Sequence, residues 1–509
     1  MPIRRRQQQQ RALKRANVSQ SRRLSTTSLD ALDDDCLLDI FDWLTFAEKV
    51  ANERVCQRWR RLLNLTFSKK QRLDVAEYLS VRTRNYYQQD SVGFAPAVVG
   101  VLKRYGPHIS ELSFGKRWSK IGPEILETIS NCCTKLKRLD LGSCILHGNL
   151  ARALHRVATQ LESLSLEETT WVDANDALQL QTLFPLFTNM ISLNLKGANF
   201  PLTAIVELPA TISRINISAT SLLDDEQLLN SFLGTHPNLK SLRMGSAKNR
   251  PDTQDTIDIL SSHLTKLRLL DMSRHPRISY RALVSTDLSN LAHLESLETL
   301  YLQYNLSLNN ASFQAISTGL SQLQQLDITG CAKLSDYSLL TGCNRLTSLH
   351  LGHSTHVSDE DLIALASKEL LEKLSIDKCH NVTDVGVQAL ALSCPLREVR
   401  VNFCSHVTDT SLVSLAQCPT SSLVAVTNCA GVTNEGLAQL GSVVADLGSR
   451  SVEIDVSQNH RVDDSGLMAL YEIASNWPAE RWPIRIRARQ TNVHEELLAT
   501  VAGVLEVTL

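Results

Sequence analysis

Twelve cysteines and one tight group of histidines are the residues of this chain whose types could do chemistry. Thiolates and imidazoles bind zinc, and a thiolate is also a nucleophile. The spacing argues against both uses. No Cys-x-x-Cys pair occurs, and Cys132 and Cys133 are adjacent, which is poor ligand spacing. His350, His353 and His356 have no cysteine or carboxylate placed to complete a site with them. No nucleophile elbow, phosphate-binding glycine loop or paired-carboxylate motif is present, so no catalytic residue, metal or cofactor is expected.

The cysteines mark a period instead. Cys144, Cys331, Cys379, Cys404 and Cys429 each follow apolar residues eight, five and three positions earlier, as in LLEKLSIDKC and PLREVRVNFC. Degenerate copies carry Thr169, Ala198, Thr220, Ala247, His275, Asn305, Ser354 and Asn459 in the same column. Ser354, Cys379, Cys404 and Cys429 stand 25 residues apart. That period belongs to leucine-rich repeats, in which one strand and one helix per unit bury a shared face only by stacking on their neighbours. The expected fold class is therefore α/β: a solenoid with parallel strands on its concave face and helices on its convex face. In Leu374-Ser375-Ile376 the alternation sends the apolar pair inward. In Thr383-Asp384, Thr408-Asp409 and Ser358-Asp359 a hydroxyl can cap the following helix while the acid suits its dipole. Periodic buried thiols at these positions read as reduced space-fillers rather than disulfides.

A length of 509 residues exceeds one globular core, and a net charge of −1 gives no global pull toward nucleic acid or membrane. The longest apolar run, Phe94 to Leu102, contains Pro96 and Gly100 and is too short to span a bilayer. The composition suits an intracellular protein, cytoplasmic or nuclear. Residues 1–28 are rich in arginine and lack acids, which predicts a disordered tail that could serve nuclear import.

A different pattern fills residues 29–70. Leu37, Ile40, Phe41 and Leu44, then Val55, Trp59 and Leu62, recur at helical spacing in a stretch too short for a self-sufficient core, which predicts that another protein covers its apolar side. Leu32, the acids Asp33-Asp34-Asp35, Leu37-Leu38, Ile40-Phe41, Leu44 and Val55-Cys56-Gln57-Arg58-Trp59 resemble the F-box. The proline that often follows the first leucine of that motif is Asp33 here, which can still cap the helix. From about Leu29 to the C-terminus the chain resembles F-box proteins with cysteine-containing leucine-rich repeats. The resemblance implies a non-catalytic substrate receptor of a Skp–cullin–F-box ubiquitin ligase. It implies a Skp-type adaptor, and through it a cullin, with Leu32, Leu37, Ile40, Phe41, Leu44 and Trp59 as the adaptor-binding or box-core positions.

Residues 71–107 are expected to form a helical connector, and 108–509 the solenoid with a C-terminal cap in which Arg489 falls in the cysteine column. The repeat frame exposes Asp271, Tyr301, Gln303, Asp327, His350, Lys373, Asp377, Arg400 and Asn402 on the concave face. Mixed charge with one aromatic suits a protein client better than nucleic acid, and Tyr301 and Arg400 have the side chains that dominate binding hot spots. A scaffold of the same build that never meets ubiquitin fits the residues too. A nucleic-acid-associated factor rests only on the basic tail.

Overall fold

The computed structural model describes residues 29, 32–67, 72–82, 94–115, 120–173, 179–200, 202–245, 253–274, 286–446, 452–476, 484–502 and 504–509; the basic segment 1–28, Ala247 and His275 lie outside them. Seventeen short strands, from Arg72–Asp74 to Leu505–Thr508, form one sheet in which each strand pairs in parallel with the strands of the units before and after it. Their middle residues stay in register, as in Leu326, Leu349, Leu374, Val399, Val424 and Ile454, and all are buried. Three further two-residue strands, Lys120–Ile121, Ile145–Leu146 and Thr170–Trp171, make a second ribbon. The helices Asp359–Leu365, Asp384–Ser393, Asp409–Gln417, Asn434–Asp446 and Asp464–Ser475 stack in the same order, so strand and helix layers share one continuous core.

The cysteine column takes compact, buried side chains. Four of its thiols reach a carbonyl of the preceding unit: Cys331 Sγ to Leu302 O (3.1 Å), Cys379 to Leu351 (3.5 Å), Cys404 to Ile376 (3.3 Å) and Cys429 to Val401 (3.1 Å), while Cys144 Sγ donates to Gly142 O (3.7 Å) in its own turn. Thr169 Oγ1 donates to Leu141 O at 3.0 Å and Asn459 Nδ2 to Val426 O at 2.7 Å. Those are the same bonds made by other chemistry, which is why threonine and asparagine replace cysteine there. The residue before the column is left-handed in each of these turns, with φ of 59° at Lys378 and Phe403 and 52° at Asn428. Gln490, at 56°, marks the same turn in the last repeat, and Ile486 pairs with Ile454. Thr491 therefore occupies the column there, not Arg489. Shifting a period-two pattern by two residues leaves it unchanged, so Ile484 and Ile486 fit either frame.

The Val-Thr-Asp phrase is an inter-repeat clasp. Thr383 and Thr408 cap their own helices, and the helix-initial aspartates accept hydrogen bonds from the next repeat, four at Asp384 and two at Asp409. Asp384 accepts from Thr408 N (2.9 Å) and Oγ1 (2.7 Å), and Asp409 from Thr433 N (2.7 Å) and Oγ1 (2.6 Å). The backbones approach closely here: a Cβ at Gly386 would lie 2.5 Å from Asp359 Oδ1. Asp409→Ala should cost about 2 kcal/mol, because it leaves two half-buried donors of Thr433 without their acceptor. Hydrogen exchange should report the loss first in residues 409–476, since each repeat is held only by its neighbours. Asp409→Asn should recover about half, as Asn434 already clasps Asp463 through its own amide (Nδ2 to Oδ1, 2.8 Å).

The sheet begins before residue 108, the expected start of the solenoid. Arg72–Asp74, within the expected connector, pairs with Glu111–Ser113 and so adds a strand to the solenoid. The helices Val75–Arg82 and Phe94–Tyr105 follow within that segment. Among the described residues no helix is long and apolar enough to cross a membrane.

Candidate functional site

Residues 34–67 fold as three helices, Asp34–Asp42, Phe46–Asn52 and Gln57–Phe67. Asp33 caps the first by accepting from Cys36 N at 2.7 Å, and that bond holds its carboxyl below the usual range. Thr45 and Glu48 form a capping box on the second. Asp34 ties the first helix to the third through Arg58 (2.7 Å) and Arg61 (2.9 Å).

Helical phase sorts the adaptor positions. Leu37 and Phe41 face inward and are buried, and Trp59 packs edge-on against Phe41 with ring centroids 5.0 Å apart. Leu32, Leu44 and Trp59 are half-buried against that core. Ile40 alone of the six is open, at 42% exposure. Trp43, not among the residues singled out from the sequence, is 82% exposed, and Cys36 is exposed as well. Residues 36, 40 and 43 are neighbours along one side of a helix, while 37, 41 and 44 line the other, a grouping that helical spacing gives without saying which side is open.

The opposite side of this unit is closed by the chain itself, in part correcting the expectation that another protein would cover it. Phe46 packs against Phe67 (5.2 Å), Tyr105 (5.5 Å) and Tyr78 (5.9 Å), the last two from the connector helices. Beside them the buried Glu53 carboxylate pairs with the Arg104 guanidinium. Burial first, and Glu53 second, push the Tyr105 hydroxyl far above its usual ionisation. The helical unit is thus set at a fixed angle to the repeats.

On the concave face, Tyr301, His350, Lys373, Asp377 and Arg400 line one depression of about 500 Å³. Tyr301 OH donates to Gln325 Oε1 at 3.1 Å, and the Arg243 guanidinium lies 5.6 Å above its ring. Lys373 Nζ is 2.6 Å from Glu398 Oε1. His350 Nε2 is 3.5 Å from Ser348 Oγ. The remaining predicted positions lie outside this depression. Asp271 pairs with Arg243 (3.5 Å) and accepts from Ser273 N (3.0 Å). Asp327 was expected on the open face but is 4% exposed, accepting from the Gln303 amide and from Thr329 N at 3.0 Å. Asn402 Oδ1 takes Thr427 N (3.0 Å) and Thr427 Oγ1 (2.9 Å). These three side chains hold the turn that leads into each column residue, a duty that turns a short acid or amide back on the backbone.

His353 stacks edge-on over Tyr304 at 5.8 Å, and burial with the Lys378 charge holds its imidazole below its usual pKa. Among the described residues no three histidine, cysteine or acidic side chains converge as metal ligands would. Burial pushes the column thiols of Cys144, Cys331, Cys379 and Cys429 up to about 12 and that of Cys404 up to about 11, so all five are protonated at neutral pH.

A family model described as a leucine-rich repeat matches residues 342–366 and 368–391, which contain the clasp and the column just described. The chain is a leucine-rich-repeat solenoid. A Caenorhabditis elegans protein bearing the name "Putative RNA-binding protein EEED8.10" is 24% identical over 292 residues, 55% of this chain and 38% of that protein. The chain therefore spans well under half the length of that relative. Among solved structures it is similar to that of the yeast Rad7 and Elc1 complex, with 17% identity, a TM-score of 0.49, and 86% of this chain and 95% of that chain covered. It is also similar to the mouse RP105/MD-1 complex, at 18% identity and a TM-score of 0.47, covering 79% of this chain and 71% of that chain.

Proposed function

We propose that this chain is the substrate-recognition subunit of a Skp–cullin–F-box-type ubiquitin ligase. Its N-terminal helices dock a Skp-type adaptor, and through it a cullin, while the concave face holds the protein to be modified. The observation that carries the reading is the open Ile40–Trp43 side of a unit whose other side is sealed to the solenoid. An exposed tryptophan beside an exposed isoleucine is the kind of anchor that dominates protein interfaces. The concave face supports a protein client because its charges are mixed and largely paired across strands, unlike a basic nucleic-acid groove. The role is non-catalytic: holding a client beside a charged enzyme raises the effective concentration of the acceptor lysine.

Capture of a purified Skp-type adaptor by the full-length chain tests this. The double variant Ile40→Asp, Trp43→Asp should lose affinity by about a hundredfold, the scale of two hot-spot anchors. Its unfolding midpoint should stay unchanged because both side chains are exposed. Leu37→Asp, by contrast, should unfold the box. A wild-type chain that binds no adaptor, or a double variant that binds as well as the wild type, sinks the proposal and leaves a leucine-rich-repeat scaffold with another partner.

A further inference from the structure

Three arginines stand at the same place in the repeat, the last position of the strand register: Arg243, Arg400 and Arg487. Arg243 pairs with Asp271 on the next strand, and Arg487 with Glu453 on the one before. Arg400 has no acidic partner among the described residues. The side chains in register with it explain why: Ser375 on one side and Ala425 on the other are small and buried, so the exposed guanidinium rises alone from a low floor.

The other charges lining the depression are occupied. Lys373 is held by Glu398, and Glu372 by Arg397 (3.4 Å). Both oxygens of Asp377 accept hydrogen bonds, from Ser375 Oγ (2.7 Å) and Asn402 N (3.0 Å). Arg400 is therefore the uncommitted charge of the depression, with five N–H donors in a planar fork that fits an oxyanion two bonds at a time. Tyr301 and His350 stand on strands toward the N-terminus of the same depression, about four and two strand spacings away, and offer aromatic surface for the flanking residues of an extended segment.

We infer that the depression reads an anionic side chain of a client segment, with Arg400 as the residue that binds its oxygens and Tyr301 and His350 as the walls for its neighbours. This rests on the concave face being the client-holding surface. The shared chemistry is a tetrahedral or carboxylate oxyanion, so a phosphorylated serine and an aspartate are its two sources.

The test uses immobilised degenerate peptides whose central residue is phosphoserine, aspartate, serine or lysine, probed with the full-length chain. Phosphoserine, aspartate or both should retain at least about tenfold more protein than serine or lysine, the scale of one charge-assisted bidentate contact. Retention by phosphoserine alone identifies phosphate as the source, and equal retention by aspartate identifies the carboxylate. Arg400→Gln should abolish the preference, whereas Arg214→Gln, on the same sheet outside the depression, should leave it intact. Equal retention on all four peptides, or an undiminished preference in the Arg400→Gln protein, overturns the inference. Adaptor capture is measured on the same preparations. If anion selection fails while capture persists, only this inference falls, and if capture fails while selection persists, only the ligase reading does.

Discussion

Replacing Arg104 with leucine destabilises the full-length chain by about 3 kcal/mol, the low end of what breaking a buried ion pair costs. Glu53 is 2% exposed and its carboxylate meets the Arg104 guanidinium across the seam between the helical unit and the connector. Removing the guanidinium leaves a buried negative charge without its counter-ion, and half of the arginine side chain is open to solvent, which keeps the cost at the low end. Glu53→Leu in the same background should recover most of the loss, because an apolar pair of similar volume leaves no charge to solvate. Guanidinium unfolding of the four proteins of this cycle reads the coupling, and a single variant within about 0.5 kcal/mol of wild type would dismiss the pair as incidental. Limited proteolysis should find the connector more readily in Arg104→Leu, because the aromatic packing of Phe46 on Tyr78 and Tyr105 loses its polar clamp. Under the proposed function, the seam would set the distance between client and enzyme.

Alkaline solution should destabilise this protein through its thiols. Burial raises Cys379 and Cys429 to about 12 and Cys404 to about 11, against 9.0 for an ordinary thiol. A folded-state pKa above the unfolded value means that the contribution is fully present below pH 9 and disappears as pH rises through the folded values. At pH 10 the unfolded chain has released these protons and the folded chain has kept them, which favours unfolding by about 1 kcal/mol per thiol. Lysines and tyrosines titrate in the same window, so the measurement is a difference. The triple variant Cys379→Thr, Cys404→Thr, Cys429→Thr keeps a hydroxyl donor where Thr169 already shows one to work. Between pH 7.5 and pH 10 it should lose about 3–4 kcal/mol less than wild type in guanidinium unfolding. Parallel pH profiles for the two proteins would show that the column thiols do not control the alkaline limb.

The column cysteines illustrate how far the repeat pattern could be read. Their spacing located the strands and the inward side of each strand, because a repeat 25 residues long must present the same face every time to stack. The donor role that unites cysteine, threonine and asparagine was not legible, since its acceptor is a carbonyl 28 to 33 residues earlier in the chain. A contact 25 residues on, to Thr427, hid Asn402, and a contact only two residues on, to Thr329, hid Asp327. Both looked like outward polar residues, yet each folds back onto a turn of its own or the following repeat.

Linear order, taken alone, determined that this chain is a stack of strand–helix units with a separate apolar helical segment in front. Periodicity is a property of neighbours along the backbone and survives without coordinates. Tertiary structure decided which side of the first helix is open, where Phe41 turns inward and Trp43 outward, and that Arg400, unlike Arg243 and Arg487, lacks an acid beside it among the described residues. Exposure and charge pairing depend on side chains brought together by stacking from about 25 residues away, and no local pattern records which of those neighbours will be small, acidic or absent.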